Sequence, residues 1–241
     1  MPMSIEELLR GNTYPGRGIM LGKSADDKRA ILVYFIMGRS ENSRNRIFVE
    51  TTDGIMTQAH DPAKLSDPSL VIYHPLRKLE VGGGTAYILT NGDQTDTLCD
   101  YLIEGKTYLD ALMTREFEPD PPLYTPRISA LLNTVDGAYI LSILKSSDGN
   151  PGCCLRHFFT YDSPLPGVGH FIHTYAGDGD PPPSFSGEPV AISIPDDDIA
   201  VFADKIWAAL NIDNKVSLFV RELNLATGGT RDIIKNKNRG D

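Results

Sequence analysis

With 241 residues, 41% hydrophobic and 23% charged, the chain is long enough to bury a substantial core and reads as one domain over residues 1–241. Its formal charge of −9, from 23 Lys and Arg against 32 Asp and Glu, gives no global positive field that would draw it to nucleic acid or an anionic membrane, so neither is expected as a partner. Three cysteines, two of them adjacent at Cys153 and Cys154, are an odd and badly spaced set for a disulfide framework, as expected in a reducing, cytoplasmic compartment. The N-terminus carries Glu6 and Glu7 and lacks an apolar signal core, and no apolar run reaches the roughly 20 residues needed to span a bilayer.

In chain order, β-branched apolar runs bounded by turn residues predict strands near residues 18–22, 29–38, 45–51, 69–74 and 85–90. Gly82-Gly83-Gly84 predicts a tight hairpin before the last of these. After Asn91-Gly92, Asp93 or Thr95 can cap a helix that runs to about Glu104 and stops at Gly105, and Thr107 with Asp110 reads as a capping box for the next. Thr125-Pro126 predicts an N-cap and first helical position, with Arg127 in the first turn of a helix ending near Asn133. Strands follow near 138–144, 154–160, 170–176 and 190–194, interrupted by a loop at Gly177 to Pro183. Asp196 to Asp198 then precede a helix whose apolar face is Ile199, Phe202, Ile206 and Leu210, and a last strand spans 216–223. The tail, residues 228–241, reads as frayed. Strands in both halves with helices in the middle and near the end imply two stacked sheets with helices outside them, and argue against a Rossmann order.

Polar groups crowd the ends of these apolar segments, where rigid scaffolds carry binding and catalytic groups. Arg39, Arg44 and Arg46, with Asn42 and Asn45, form a fork-donor array suited to phosphate or carboxylate, although the same cluster could be a solvated turn. If 45–51 is a strand, Arg44 and Arg46 share a face. Tyr73 closes an apolar strand before His74-Pro75, and its phenol could donate to a developing oxyanion or simply pack. Asn91, Gly92, Asp93 and Thr95 at a helix start could meet a phosphate, a ribose or a base. Glu118 and Asp120, enclosed by Pro119, Pro121 and Pro122, could supply a carboxyl tuned for proton transfer, or only an acidic loop. His170 and His173 fall on opposite faces of a strand, which argues against zinc, and no metal site is expected.

The order of these motifs resembles the archaeal-type inosine monophosphate (IMP) cyclohydrolases, in a longer bacterial form. The resemblance is carried by Gly16-Arg17, Arg39 with Asn45-Arg46, Asp67-Pro68 through Tyr73, Thr90-Asn91-Gly92 with Thr95-Asp96-Thr97, Glu118 to Asp120, and Thr125-Pro126-Arg127-Ile128. It covers residues 14 to 145 well and is weaker beyond 150. It implies an α+β, four-layer αββα sandwich similar to the N-terminal-nucleophile hydrolases but without an N-terminal nucleophile. It also implies cofactor-free closure of 5-formamidoimidazole-4-carboxamide ribotide (FAICAR) to IMP and water, a reaction of the cyclic-amidine hydrolase class, by a homo-oligomer. Arg46, Tyr73 and Glu118 fall on the family's catalytic arginine, tyrosine and glutamate. Arg39, Asn45, Asn91, Gly92, Thr95, Thr125 and Arg127 are expected to bind the purine ribonucleotide. A protein that binds the nucleotide as a sensor without this turnover is the alternative.

Overall fold

The runs at Arg17–Lys23 (β1) and Arg29–Met37 (β2) show no polar alternation because both of their faces are buried. The computed structural model describes residues 2–65, Pro68 and residues 71–240, so Asp67, Ser69 and Leu70 of the expected Asp67 to Tyr73 motif lie outside the described residues. The strands that follow β2 are Arg46–Glu50 (β3), Gly54–Ala59 (β4), Leu76–Val81 (β5), Gly84–Thr90 (β6), Arg127–Asn133 (β7) and Tyr139–Ser147 (β8). Asn150–Tyr161 (β9), Val168–His173 (β10), Val190–Ser193 (β11), Lys215–Asn224 (β12) and Thr230–Asn236 (β13) complete the set. They form a six-stranded sheet, β11-β10-β1-β2-β12-β13, and a seven-stranded sheet, β3-β4-β5-β6-β7-β8-β9, both built from antiparallel pairs.

Alternate residues of each sheet enter different cores. Ile19, Leu32, Tyr34 and Ile36 of the first sheet meet Phe48, Leu89, Ile128 and Leu141 of the second in one shared core. On the outer face of the first sheet, Met20, Val33 and Phe171 pack with Ile5 and Leu9 of Ile5–Gly11 (α1) and Phe202 and Ile206 of Ile199–Ala209 (α5). On the outer face of the second, Ile88 and Leu144 pack with Leu98 of Gln94–Ile103 (α3) and Leu112 of Tyr108–Met113 (α4). Each of these four helices therefore covers the apolar face its sheet turns away from the shared core. Among the described residues no helix is long and apolar enough to cross a membrane.

Local signals placed several elements correctly. Gly82 and Gly83, at φ of 60° and 79°, form the two-residue turn that pairs Val81 with Gly84, a conformation glycine adopts without steric cost. The Thr107–Asp110 capping box opens α4, and the Asp198 side chain caps α5.

Four expectations are corrected. Arg127 begins strand β7 rather than a helix: Ile128, Ala130 and Leu132 enter the shared core at period two, and Arg127 lies opposite Leu144. Arg44 and Arg46 do not share a strand face, because Arg44 ends the short helix Glu41–Arg44 (α2) and β3 starts only at Arg46. Residues 71–74 form no regular strand, and instead the Tyr73 N–H donates to Thr57 Oγ1 and the Thr57 N–H to the Tyr73 carbonyl, each at 2.9 Å. Pro75 has no N–H with which to continue a ladder. The expected frayed tail contains β13, which pairs along β12 from Ser217–Asn236 to Leu223–Thr230.

Asn236, at the end of β13, also joins the two sheets. Its Oδ1 accepts from the Phe48 N–H at 2.7 Å and its Nδ2 donates to the Phe48 carbonyl at 3.1 Å, pinning β3 two residues after Arg46. Asn236→Ala would leave both Phe48 backbone groups buried and unpaired, so it is expected to lower stability by about 2–3 kcal/mol, read from urea unfolding. A loss below about 0.5 kcal/mol would show that these bonds do not hold β3 in place.

Candidate active site

Several motif loops meet at one end of the stacked sheets. Arg17 opens β1 opposite Ile36 near the end of β2, while Gly18 lies opposite His173 at the end of β10. Tyr14, Arg39 and Tyr175 therefore gather around Arg17. From the second sheet come Arg46 and the loop between α4 and β7 that carries Glu118, Asp120, Leu123 and Thr125. These residues, with Ser40, Asn42, Ser43, Val71 and Pro182, line a cavity of about 250 Å³.

Backbone geometry prepares this junction. Gly16 has φ of +76°, and a Cβ there would stand 2.2 Å from Thr174 Oγ1 and 2.5 Å from the Tyr175 ring, so only glycine lets the chain turn into Arg17 against that wall. The acidic loop is closed by the Glu118 N–H donating to the Thr125 carbonyl at 2.9 Å. Asp120 accepts from the Thr125 N–H at 2.7 Å and from its hydroxyl, and the Tyr175 hydroxyl in turn donates to Thr125 Oγ1 at 2.8 Å. Asp120 thus spends its oxygens on holding the loop, whereas Glu118 is the cavity carboxyl not committed in that way.

Glu118 is 2% exposed. Burial pushes its carboxyl up to about 7 against the opposing pull of Arg17, Arg127 and Arg46, and the charge of Asp120 adds to the rise. Arg46, 1% exposed, is lowered by burial and then by repulsion from Arg17. Its Nε donates to the Ser43 carbonyl at 2.8 Å and its Nη2 to the Met37 carbonyl at 3.3 Å, so it ties the Gly38–Ser43 turn to β3. Arg39 lies 4.9 Å from the centre of the Tyr14 ring and pairs with Asp178 at 2.8 Å, which ties the Gly177 to Pro183 loop, whose Pro182 lines the cavity, to the segment after β2. Tyr14 stacks on Tyr175 with ring centres 5.7 Å apart.

Of the residues expected from sequence, Arg46, Glu118, Arg39 and Thr125 line this cavity. Tyr73 does not. It is buried outside the lining with its hydroxyl 2.7 Å from that of Tyr34, close to both Arg17 and Arg46. Arg127 is likewise set back, its guanidinium held by Asp93 at 2.6 Å and by Gln94 Oε1 at 2.6 Å. Gly92 makes room for that arrangement, since a Cβ there would lie 2.4 Å from Arg127 Nη1. The Asn91 side chain bonds the Pro126 carbonyl and the Ile128 N–H, fixing the start of β7, and Thr95 Oγ1 bonds the His74 carbonyl at 2.6 Å. Asn45 exchanges two 2.8 Å bonds with the Asp61 backbone and borders a separate cavity with Arg44, His60 and Lys64. Sequence reasoning did not select Arg17, Tyr14 or Tyr175 as site residues. Gly16-Arg17 was a usable signal for the first, and nothing local marks the two tyrosines.

The arrangement is a two-sheet α/β scaffold with an arginine-lined pocket built around a buried carboxyl pushed up to about 7. The chain belongs to the IMP cyclohydrolase-like protein family, whose model matches residues 14–227. None of the curated proteins matches the chain.

A carboxyl raised from the ordinary 4.5 to about 7 makes folding proton-linked. The folded state binds the extra proton between those values, so the contribution of Glu118 to stability is fully present below pH 4.5 and is lost as pH rises through 7. The loss amounts to about 3 kcal/mol at pH 8. Glu118→Gln is therefore expected to melt above the wild type at pH 8 and to lose that advantage at pH 4; a difference independent of pH would contradict the raised value.

Proposed function

We propose that the protein is an IMP cyclohydrolase that closes FAICAR to IMP with loss of water, acting as a single domain with the αββα arrangement of the N-terminal-nucleophile hydrolases but no N-terminal nucleophile. The observation that carries this reading is the Glu118 carboxyl, titrating near 7 inside an arginine-lined cavity in a chain of the IMP cyclohydrolase-like family.

The chemistry asks for a group that both takes and gives a proton. The carboxamide nitrogen attacks the formyl carbon and loses one proton, while the formyl oxygen takes a proton and becomes the carbinolamine hydroxyl. That hydroxyl then leaves as water as the formamido nitrogen gives up its own proton and the C=N bond forms. The closure is redox-neutral and as written requires no cofactor. Glu118 is half ionised at neutral pH and suits both transfers. Arg46, with two donors committed to backbone carbonyls, presents the rest of its guanidinium to the formyl or carboxamide oxygen. The Tyr34 and Tyr73 hydroxyls share a 2.7 Å bond in which either can donate; when Tyr34 donates, the Tyr73 O–H is left to support the developing oxyanion from behind the arginines. Arg39 beside Tyr14 suits the phosphate or the base, with Asp178 yielding its place to the ligand. The set-back residues Asn91, Gly92, Thr95 and Arg127 serve the substrate by holding the walls. Cytoplasmic residence and homo-oligomeric assembly belong to the same reading.

The test is to mix purified protein with FAICAR in the presence of chelator and without folate, following IMP by absorbance and chromatography. Turnover is expected, with a kcat/KM profile that changes around pH 7. Glu118→Gln should lower kcat at least about 100-fold. Tight IMP binding without turnover would make the protein a nucleotide-binding module instead.

A further inference from the structure

The arginines around the cavity differ in how far their donors are already used. Arg46 is tied to two backbone carbonyls, Arg127 to Asp93 and Gln94, and Arg39 to Asp178 and the Gly179 carbonyl. Arg17 is not engaged in this way. Its Nε is shut off from solvent and has no hydrogen-bond partner among the described residues. A buried donor left unpaired costs about 1–3 kcal/mol, so hydrogen bonding does not explain why an arginine stands there. Among the described residues Arg17 also forms no ion pair with a carboxylate, and neither does Glu118 with any cation. The two line the same cavity, and each feels the other's charge more strongly than that of any other residue. They face each other across a gap.

We propose that Arg17 is the positioning residue of this site: its guanidinium sets the charge of Glu118 across the cavity, and the gap between them receives a neutral carbonyl-bearing group of the substrate, an amide or formamide. A cation on one side and an ionisable carboxyl on the other match the two ends of such a group, an oxygen that accepts and an N–H that donates. The inference rests on reading Glu118 as the proton-transfer group. Among the described residues, the other charged or titratable groups around Glu118 are Arg46 from β3, Arg127 from β7, Asp120 on its own loop, Arg39 after β2, and Tyr14 and Tyr175 from the segments flanking β1 and β10. Arg46 and Arg127 act more weakly than Arg17.

The sign of the effect is fixed. A guanidinium favours the ionised carboxylate, so replacing Arg17 with a neutral side chain must raise the midpoint of Glu118. Carbon-13 NMR of the labelled Glu118 carboxyl, in the full chain, is expected to show a rise of at least about one pH unit in Arg17→Met relative to the wild type. Arg17→Lys, which keeps the charge, should restore the midpoint to within about 0.5 unit. With FAICAR, the change in kcat/KM near pH 7 should move up in Arg17→Met by the same amount, and kcat should fall more than KM rises. An unchanged Glu118 midpoint in folded Arg17→Met would overturn the proposal. If Arg17→Met does not fold, Arg17→Gln replaces it in the same titration, and a midpoint in Arg17→Lys more than one unit from wild type would also count against a charge-setting role. Because the NMR titration needs no turnover, a wild-type protein inactive on FAICAR would defeat the reaction while leaving the Arg17–Glu118 coupling to be judged independently.

Discussion

Glu118 is held inside the protein with its negative charge neither fully neutralised nor free to leave. Burial alone would drive the carboxyl to stay protonated, while guanidinium groups on three strands pull it toward ionisation. The balance lands near neutrality because both forces are present and no arginine among the described residues closes onto the carboxylate. A direct ion pair would have pinned Glu118 as a permanent anion, and an apolar pocket would have kept it a permanent acid. Either would remove the proton-transfer role proposed for it at physiological pH.

That balance depends on where strands begin. Arg17, Arg46 and Arg127 each occupy the first residue of a strand, and the antiparallel pairing of two sheets brings those starts to one end of the shared core. The strand interiors are apolar and close-packed, so the arginines are confined to the rim, where their stems cross buried ground and their heads converge. Features far from the cavity keep the rim in place. Asn236 fixes β3 from the opposite sheet, and Asn91 fixes the start of β7 through Pro126 and Ile128.

The acidic pair Glu118 and Asp120 shows how two carboxyls on one loop acquire different work. Asp120 is satisfied by the Thr125 N–H and hydroxyl and stiffens the loop, whereas Glu118 is the cavity carboxyl not committed in that way. Similar logic separates the phenols. Tyr175 joins the loop-holding chain through Thr125 and Tyr73 pairs with Tyr34, so each hydroxyl has a partner before any ligand arrives.

Much of the scaffold could be read from the chain because its signals are local. The Gly82-Gly83 turn, the Thr107–Asp110 capping box and the Asp198-capped helix each depend on a few neighbouring residues whose backbone preferences survive any packing. The motif order likewise gave the family and brought Arg46 and Glu118 forward. What the chain left open depended on distant partners. Thr125-Pro126 carries a helix-start signal, yet β7 is a strand because β6 and β8 offer edges on both sides and the core accepts Ile128, Ala130 and Leu132 at period two. Residues 230–236 look like a polar tail, yet β12 supplies a full ladder for them. Asn91 and Thr95 read in sequence as ligand contacts, and the structure engages them with Pro126, Ile128 and His74 as well. Sequence alone determined which residue types and turns were available. Only the tertiary structure decided that Arg17 faces Glu118 across a gap while Arg127 is bound away by Asp93, because charge balance in a cavity depends on distances between strands that the order of residues does not contain.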